Sequence, residues 1–223
     1  MERTPEPELM DDEAQARAYA EADFSVPHEH FVELFRERFP DLSPRTVLDL
    51  GCGPGDVSRR LARAWPLCRV VGVDGAAAML TIGNEINRQA GLAERVELRH
   101  TYLPARPIDG GPFDAITSNS LLHHLADPAT LWSTIAQHAE AATAVFVMDL
   151  LRPHSPEAAR DLVDEHAAGE PDVLRRDFLQ SLHAAYRPAE VRDQLARAGL
   201  DPLTVEVVSD RHLIVHGTPG DRS

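Results

Sequence analysis

Glycine at 51, 53 and 55, directly behind the run Thr46-Val47-Leu48-Asp49-Leu50, restricts this chain more than any other stretch. A nearly continuous apolar run marks a strand buried on both faces of a parallel sheet. Glycines straight after it mark a turn where backbone passes close to something. From Asp56 the pattern becomes helical, so strand, turn and helix start follow one another. Backbone N–H groups at such a turn hold polar or anionic ligand groups. A second strand, Arg69-Val70-Val71-Gly72-Val73-Asp74, ends on an acid at about the twenty-residue spacing of a ribose-binding carboxylate.

Two details choose among nucleotide ligands. The dinucleotide fingerprint needs a third glycine where this chain has Asp56, and no Lys-Ser/Thr follows to cradle a triphosphate. Instead Asp49 stands two residues before Gly51, giving Asp-x-Gly-x-Gly-x-Gly, and a carboxylate there suits a ligand carrying an ammonium group. On these residues the chain resembles the class I S-adenosylmethionine-dependent methyltransferases. The resemblance implies an α/β fold: a doubly wound, Rossmann-like, mostly parallel seven-stranded sheet with an antiparallel last strand and an N-terminal helical lid. It implies S-adenosyl-L-methionine as cofactor, with the glycine loop under its aminobutyrate and ribose and the acid of strand two on the ribose hydroxyls. Those roles fall to Asp49, Gly51, Gly53 and Asp74, with Cys52 and Gly75 in the same turns.

The 223 residues suit one domain with a substantial core, and the formal net charge of −14 gives no general attraction for phosphate backbones. Lys and Arg never gather into a stripe of four, so nucleic acid and anionic membrane surfaces are disfavoured and a small-molecule acceptor is expected. Cys52 and Cys68 lack metal or redox spacing and are expected to be reduced thiols of a cytoplasmic protein. No export signal or bilayer-length apolar run is visible, and the oligomeric state stays open. The expected division is a lid over residues 1–40, belonging to the same domain, and a methyltransferase domain over 41–217. A helical insertion near 155–187 interrupts the latter, and 218–223 is a tail.

Along the chain, Asp11 to Ala22 reads as a helix, and a second begins with Ser25 as N-cap and ends at Pro40. In the resembled family such a segment folds over the cofactor, so Tyr19, Phe24, His28 and Phe31 are where it would meet the ligand. His28-Glu29-His30 is no metal-ligand set, because residues two apart on a helix diverge, and no metal is expected. Helices are predicted at Val57–Trp65 and Ala76–Ala90, the second carrying Met79, which by resemblance packs near the adenine. Arg95 to Arg99 is strand three. The following His100-Thr101-Tyr102-Leu103-Pro104 lacks the acid that relatives use on the adenine, leaving Thr101 or a backbone carbonyl beside Tyr102 for that contact.

Strand four runs from Phe113 to Ser120, and its exit flanks the point where strand order reverses, so Asn119 and Ser120 face the reacting centre. His123, in the double-histidine run that follows, is either a base or a hydrogen-bonded scaffold residue. A helix over Pro128–Ala141 and a strand over Ala144–Leu150 follow. The insertion carries Ser181 and Tyr186 as the expected acceptor cover, before a helix over Pro188–Ala198 and a closing hairpin around Ser209-Asp210.

In-line displacement at a sulfonium needs alignment and exclusion of water rather than a triad or metal. For an amine or hydroxyl acceptor the expected bases are His28, His123 or Tyr186, and Arg152 would clamp an acidic one. Two alternatives remain open. In one, the cofactor's own amine closes a ring, giving azetidine-2-carboxylate and methylthioadenosine, with Asn119, Ser181 and Tyr186 around the sulfonium. In the other, the chain is a non-catalytic cofactor-binding partner subunit.

Overall fold

The computed structural model describes residues 1–6, 24–104 and 107–220. Seven strands form one sheet: β1 (Thr46–Leu50), β2 (Arg69–Asp74), β3 (Val96–His100), β4 (Ala115–Asn119), β5 (Ala144–Leu150), β6 (Thr204–Val207) and β7 (His212–Gly217). Their order is β3-β2-β1-β4-β5-β7-β6. β1 to β5 pair in parallel, whereas β7 runs antiparallel to both β5 and β6. The chain moves outward from β1 to β3, then returns to place β4 on the other side of β1. That reversal opens a crevice beyond the carboxyl ends of β1 and β4.

Burial on both faces explains the sequence pattern. β5 is buried at all seven positions, and β1 at four of its five. Helices α1 (Ser25–Arg38), α2 (Asp56–Ala64) and α3 (Ala77–Gln89) contribute to the core on one face, where Phe31, Phe35, Leu61 and Phe146 cluster. Helices α4 (Ala129–His138) and α7 (Pro188–Arg197) cover the other, around Trp132, Ile135, Val191 and Leu195. Phe31 packs edge-on against Phe146 with centroids 4.9 Å apart, and burying such a ring contributes about 1.5–3 kcal/mol. Residues 155–187, expected as an insertion, hold α5 (Pro156–His166) and α6 (Asp172–Ala184), which build a smaller cluster with Leu150.

Several sequence expectations shift by a residue or more. Phe24, not Ser25, occupies the N-cap position of α1, and no side chain caps it; the Phe24 carbonyl instead accepts the His28 N–H at 3.0 Å. Strand three is displaced by one residue to β3, and α4 stops short of Ala141, where Thr143 Oγ1 accepts the Glu140 N–H. The predicted helix over Asp11–Ala22, and Tyr19 within it, lie outside the described residues. Among the described residues no helix is long and apolar enough to cross a membrane.

Candidate cofactor and acceptor site

The strand-to-helix turn after β1 is built from left-handed glycines: φ is +70° at Gly51, +51° at Gly53 and +79° at Gly55. Space also forbids a side chain at Gly51, where a Cβ would stand 2.7 Å from Leu121. The N–H groups of Gly51 and Cys52 donate to the Val73 carbonyl at 2.8 and 3.1 Å, tying the turn to the end of β2. At Gly53 only the Met79 sulfur lies near a Cβ, at 3.5 Å, so this face of the loop is open.

Strand alternation then aims the acids. Leu48 and Leu50 join the core on the α4–α7 face while Val47 joins the opposite one, which sends Asp49 towards α2. There Ser58 donates to its Oδ2 at 2.5 Å, and Thr117, its cross-strand neighbour on β4, donates to Oδ1 at 2.9 Å. Burial outweighs those hydrogen bonds and lifts the Asp49 pKa to about 6. Asp74, at the end of β2, accepts N–H groups from Gly53 and Ala76, each at 2.8 Å. Its pKa is also raised, with burial outweighing those two bonds. Between these carboxylates the Cys52 thiol is pushed well above its ordinary pKa, first by burial and then by Asp74 and Asp49.

These groups border a cavity of about 310 Å³ at the strand-order reversal. Asp49, Gly51, Cys52, Gly53, Asp74, Gly75, Met79, Thr101, Tyr102, Asn119, Ser120 and His28 all line it. Gly75 O accepts a hydrogen bond from His100 Nε2 at 3.0 Å, and the exposed Tyr102 ring stands edge-on to His100. Ser120 holds φ +56°, a left-handed conformation costing a non-glycine residue about 1 kcal/mol or more. Its N–H donates to the Met148 carbonyl at 2.9 Å, fixing the exit of β4 against β5.

Helix α1 roofs the cavity through His28, whose Nδ1 lies 2.8 Å from Asp56 Oδ2. Arg60 Nε holds the same oxygen at 2.8 Å. Against the effect of burial, His28 and Arg60 keep the Asp56 carboxyl far below the ordinary range. Phe24, placed by the sequence among possible ligand contacts, lines the cavity, whereas Phe31, on the sheet-facing side of α1, is wholly buried.

Among the described residues, the other expected ones do not line the cavity. His123 is buried, its Nδ1 2.6 Å from Asp149 Oδ1, and Asp149 also accepts the N–H groups of Leu122 and Leu150. Although burial opposes it, the Asp149 charge raises the His123 pKa. His124, beside it in the 3-10 turn Leu122–His124, is the one of the pair that lines the cavity. Tyr186 donates its hydroxyl to the Leu125 carbonyl at 3.4 Å, and the Arg3 guanidinium stacks on its ring at 4.1 Å. Ser181 Oγ donates to Glu6 Oε2 at 3.2 Å. Arg152, expected as a clamp for an acidic acceptor, is buried, paired with Glu190 and not among the lining residues. His124, Ser25, Leu121 and Leu125 line the cavity without having been singled out as site residues, and the double-histidine run was the signal available for His124.

Residues 47–141 match the family described as a methyltransferase domain. That segment, a little under half of the chain, holds the glycine turn and both carboxylates and is similar in sequence to methyltransferase domains. A trans-aconitate 2-methyltransferase of Klebsiella pneumoniae is 33% identical over 166 residues, 74% of this chain and 59% of the relative. The chain thus spans less than two thirds of the curated trans-aconitate methyltransferases it matches. A Methanococcus maripaludis protein described as an S-adenosyl-L-methionine-dependent methyltransferase superposes with TM-score 0.73 at 16% identity, covering 99% of both chains. The plantazolicin methyltransferase BpumL, solved with S-adenosylhomocysteine, gives TM-score 0.68 at 13% identity over 92% of this chain and 90% of that one. The likeness of fold therefore extends well beyond the matched segment.

Proposed function

We propose that the chain transfers a methyl group from S-adenosylmethionine to a small-molecule acceptor. The observation that carries this is the pairing of an open left-handed glycine turn with two carboxylates, Asp49 buried and Asp74 half-buried, at the switch point of the sheet. The donor set suits that cofactor: Asp49 offers negative charge to an ammonium group, and Asp74, fixed by two N–H groups, keeps lone pairs for ribose hydroxyls. Met79 supplies an apolar wall, and Thr101 with Tyr102 lies at the same edge. When bound, the cofactor supplies a methyl group activated by its sulfonium. Asn119 and Ser120 stand at the exit of β4 to position an acceptor, and α1 shields that end from water. His28 and His124 are the cavity-lining imidazoles available to take a proton from an amine or hydroxyl.

Trans-aconitate, the acceptor named for the Klebsiella relative, is a tricarboxylate and calls for cations. The cavity-lining arginines are already engaged, Arg59 by the Pro54 carbonyl and Asn87, and Arg60 by Asp56 and Glu29. An uncharged or hydrogen-bond-donating acceptor fits this lining better. The ring-closing alternative loses support, since Ser181 and Tyr186 stand off the cavity. Mass analysis of the adenosine product, with and without candidate acceptors, tests the reading. S-adenosylhomocysteine formed only with an acceptor is expected; methylthioadenosine released without one would overturn it.

A further inference from the structure

Among the described residues, a second cluster of ligating groups lies where residues 1–6 cross the sheet's carboxyl end. Arg3 bridges the carbonyls of Ala184, His123 and Leu125, and the Thr4 N–H donates to the His183 carbonyl. This strap delivers Glu6 to the two histidines. Glu6 Oε1 lies 3.1 Å from His124 Nδ1 and 3.4 Å from His123 Nε2. The Glu6 side chain is only 8% exposed, and its Oε1 makes no hydrogen bond despite those two close nitrogens.

The tautomer of His123 sharpens the problem. Asp149 accepts from Nδ1, which in a neutral ring leaves a lone pair on Nε2 directed towards the Glu6 carboxylate. Two acceptors facing one another in a buried site repel unless a cation lies between them. A proton serves one such contact, whereas here a carboxylate oxygen and two imidazole nitrogens lie within 4.8 Å of one another. For bonds of about 2.0–2.1 Å, the edge of a tetrahedron around zinc is about 3.3 Å, close to the two observed contacts. Asp149 behind His123 is the outer carboxylate that orients a ligating imidazole. The two carboxylates together match the charge of a divalent ion.

We propose that Glu6, His123 and His124 form a binding site for a divalent transition-metal cation of the zinc type, with Asp149 orienting His123. Two nitrogens and one oxygen leave a fourth position open, the arrangement of zinc sites that take water or a substrate oxygen. Because His124 also lines the cofactor cavity, the ion would stand at its edge and draw an oxygen-bearing acceptor there. That last placement rests on the methyl-transfer reading; the binding of the ion does not.

The test uses the full chain, stripped with a chelator and then titrated with zinc by calorimetry and with cobalt by visible absorption. Expected are one strong site per chain and the d–d bands of four-coordinate cobalt. Both should weaken at least tenfold in Glu6→Gln and in His124→Ala, and about 10- to 100-fold in Asp149→Asn. His166→Ala is the control, since Glu165, His166 and Asp210 form the other described cluster with ligand spacing. Binding of neither ion by folded protein would overturn the proposal. So would binding abolished by His166→Ala and untouched by His124→Ala. S-adenosylhomocysteine titrated into the same metal-free samples reports on the methyl-transfer reading separately.

Discussion

Taking the protein from about pH 7 to about pH 5 carries Asp49, buried and lifted to about 6, from about nine-tenths ionised to about nine-tenths protonated. If the carboxylate holds the ammonium of the bound nucleoside, affinity follows the ionised fraction. S-adenosylhomocysteine should then bind about tenfold more weakly at the lower pH, about 1.4 kcal/mol. Burial dominates the shift, His28 on α1 pulls against it, and Asp74 on β2 adds to it. The sign for stability is opposite. The folded carboxyl binds its proton more tightly than its ordinary value of 3.8, so this stability is full below that value and falls as pH rises through about 6, by about 3 kcal/mol. Calorimetry across the range measures the affinities, with methylthioadenosine as the control because it has no ammonium group. Its affinity should stay level, and Asp49→Asn should flatten the curve for S-adenosylhomocysteine. A level curve for the wild type, an equal fall for methylthioadenosine, or an unchanged slope in Asp49→Asn would refute the reasoning.

Gly51→Ala places a side chain at φ +70° and 2.7 Å from Leu121, so denaturant titration should show about 2–5 kcal/mol lost from strain and overlap together. Asp74→Ala removes the acceptor for the Gly53 and Ala76 N–H groups and, on the methyl-transfer reading, for the ribose; calorimetry should show cofactor affinity at least tenfold weaker. Phe31→Ala empties a wholly buried site against Phe146 and should cost about 3–5 kcal/mol of unfolding free energy. His28→Ala removes a partner of Asp56 and should lower stability by about 1 kcal/mol at neutral pH. Because the folded Asp56 pKa is depressed, that contribution is present above the ordinary carboxyl value and disappears as pH falls below it, which melts at stepped pH would record.

The parts written locally in the sequence were legible. Alternating glycines, an acid two residues ahead and another at the end of the next strand are signals carried by spacing, and Gly51, Gly53, Asp49 and Asp74 all line one cavity. The seven-stranded sheet with its antiparallel last strand, expected from the family resemblance, is present, and β1 and β4 do flank the reversal. What spacing does not encode is which of two adjacent side chains turns inward. His123 and His124 are indistinguishable until Asp149, from β5, claims the first and leaves the second at the cavity. Ser181, on α6, and Tyr186, just after it, carry suitable chemistry, but α6 packs on Leu150 and both side chains meet the strap rather than the cavity. Glu6 has no local signal at all, because its partners lie more than a hundred positions away in the chain.

The sulfhydryl between Asp49 and Asp74 has a chemical consequence. A sulfonium is an alkylating agent, and on the methyl-transfer reading the glycine turn brings one alongside the most nucleophilic type of side chain proteins carry. Neighbouring anions and a dry setting deny Cys52 its thiolate, so the turn is spared from consuming its own reagent.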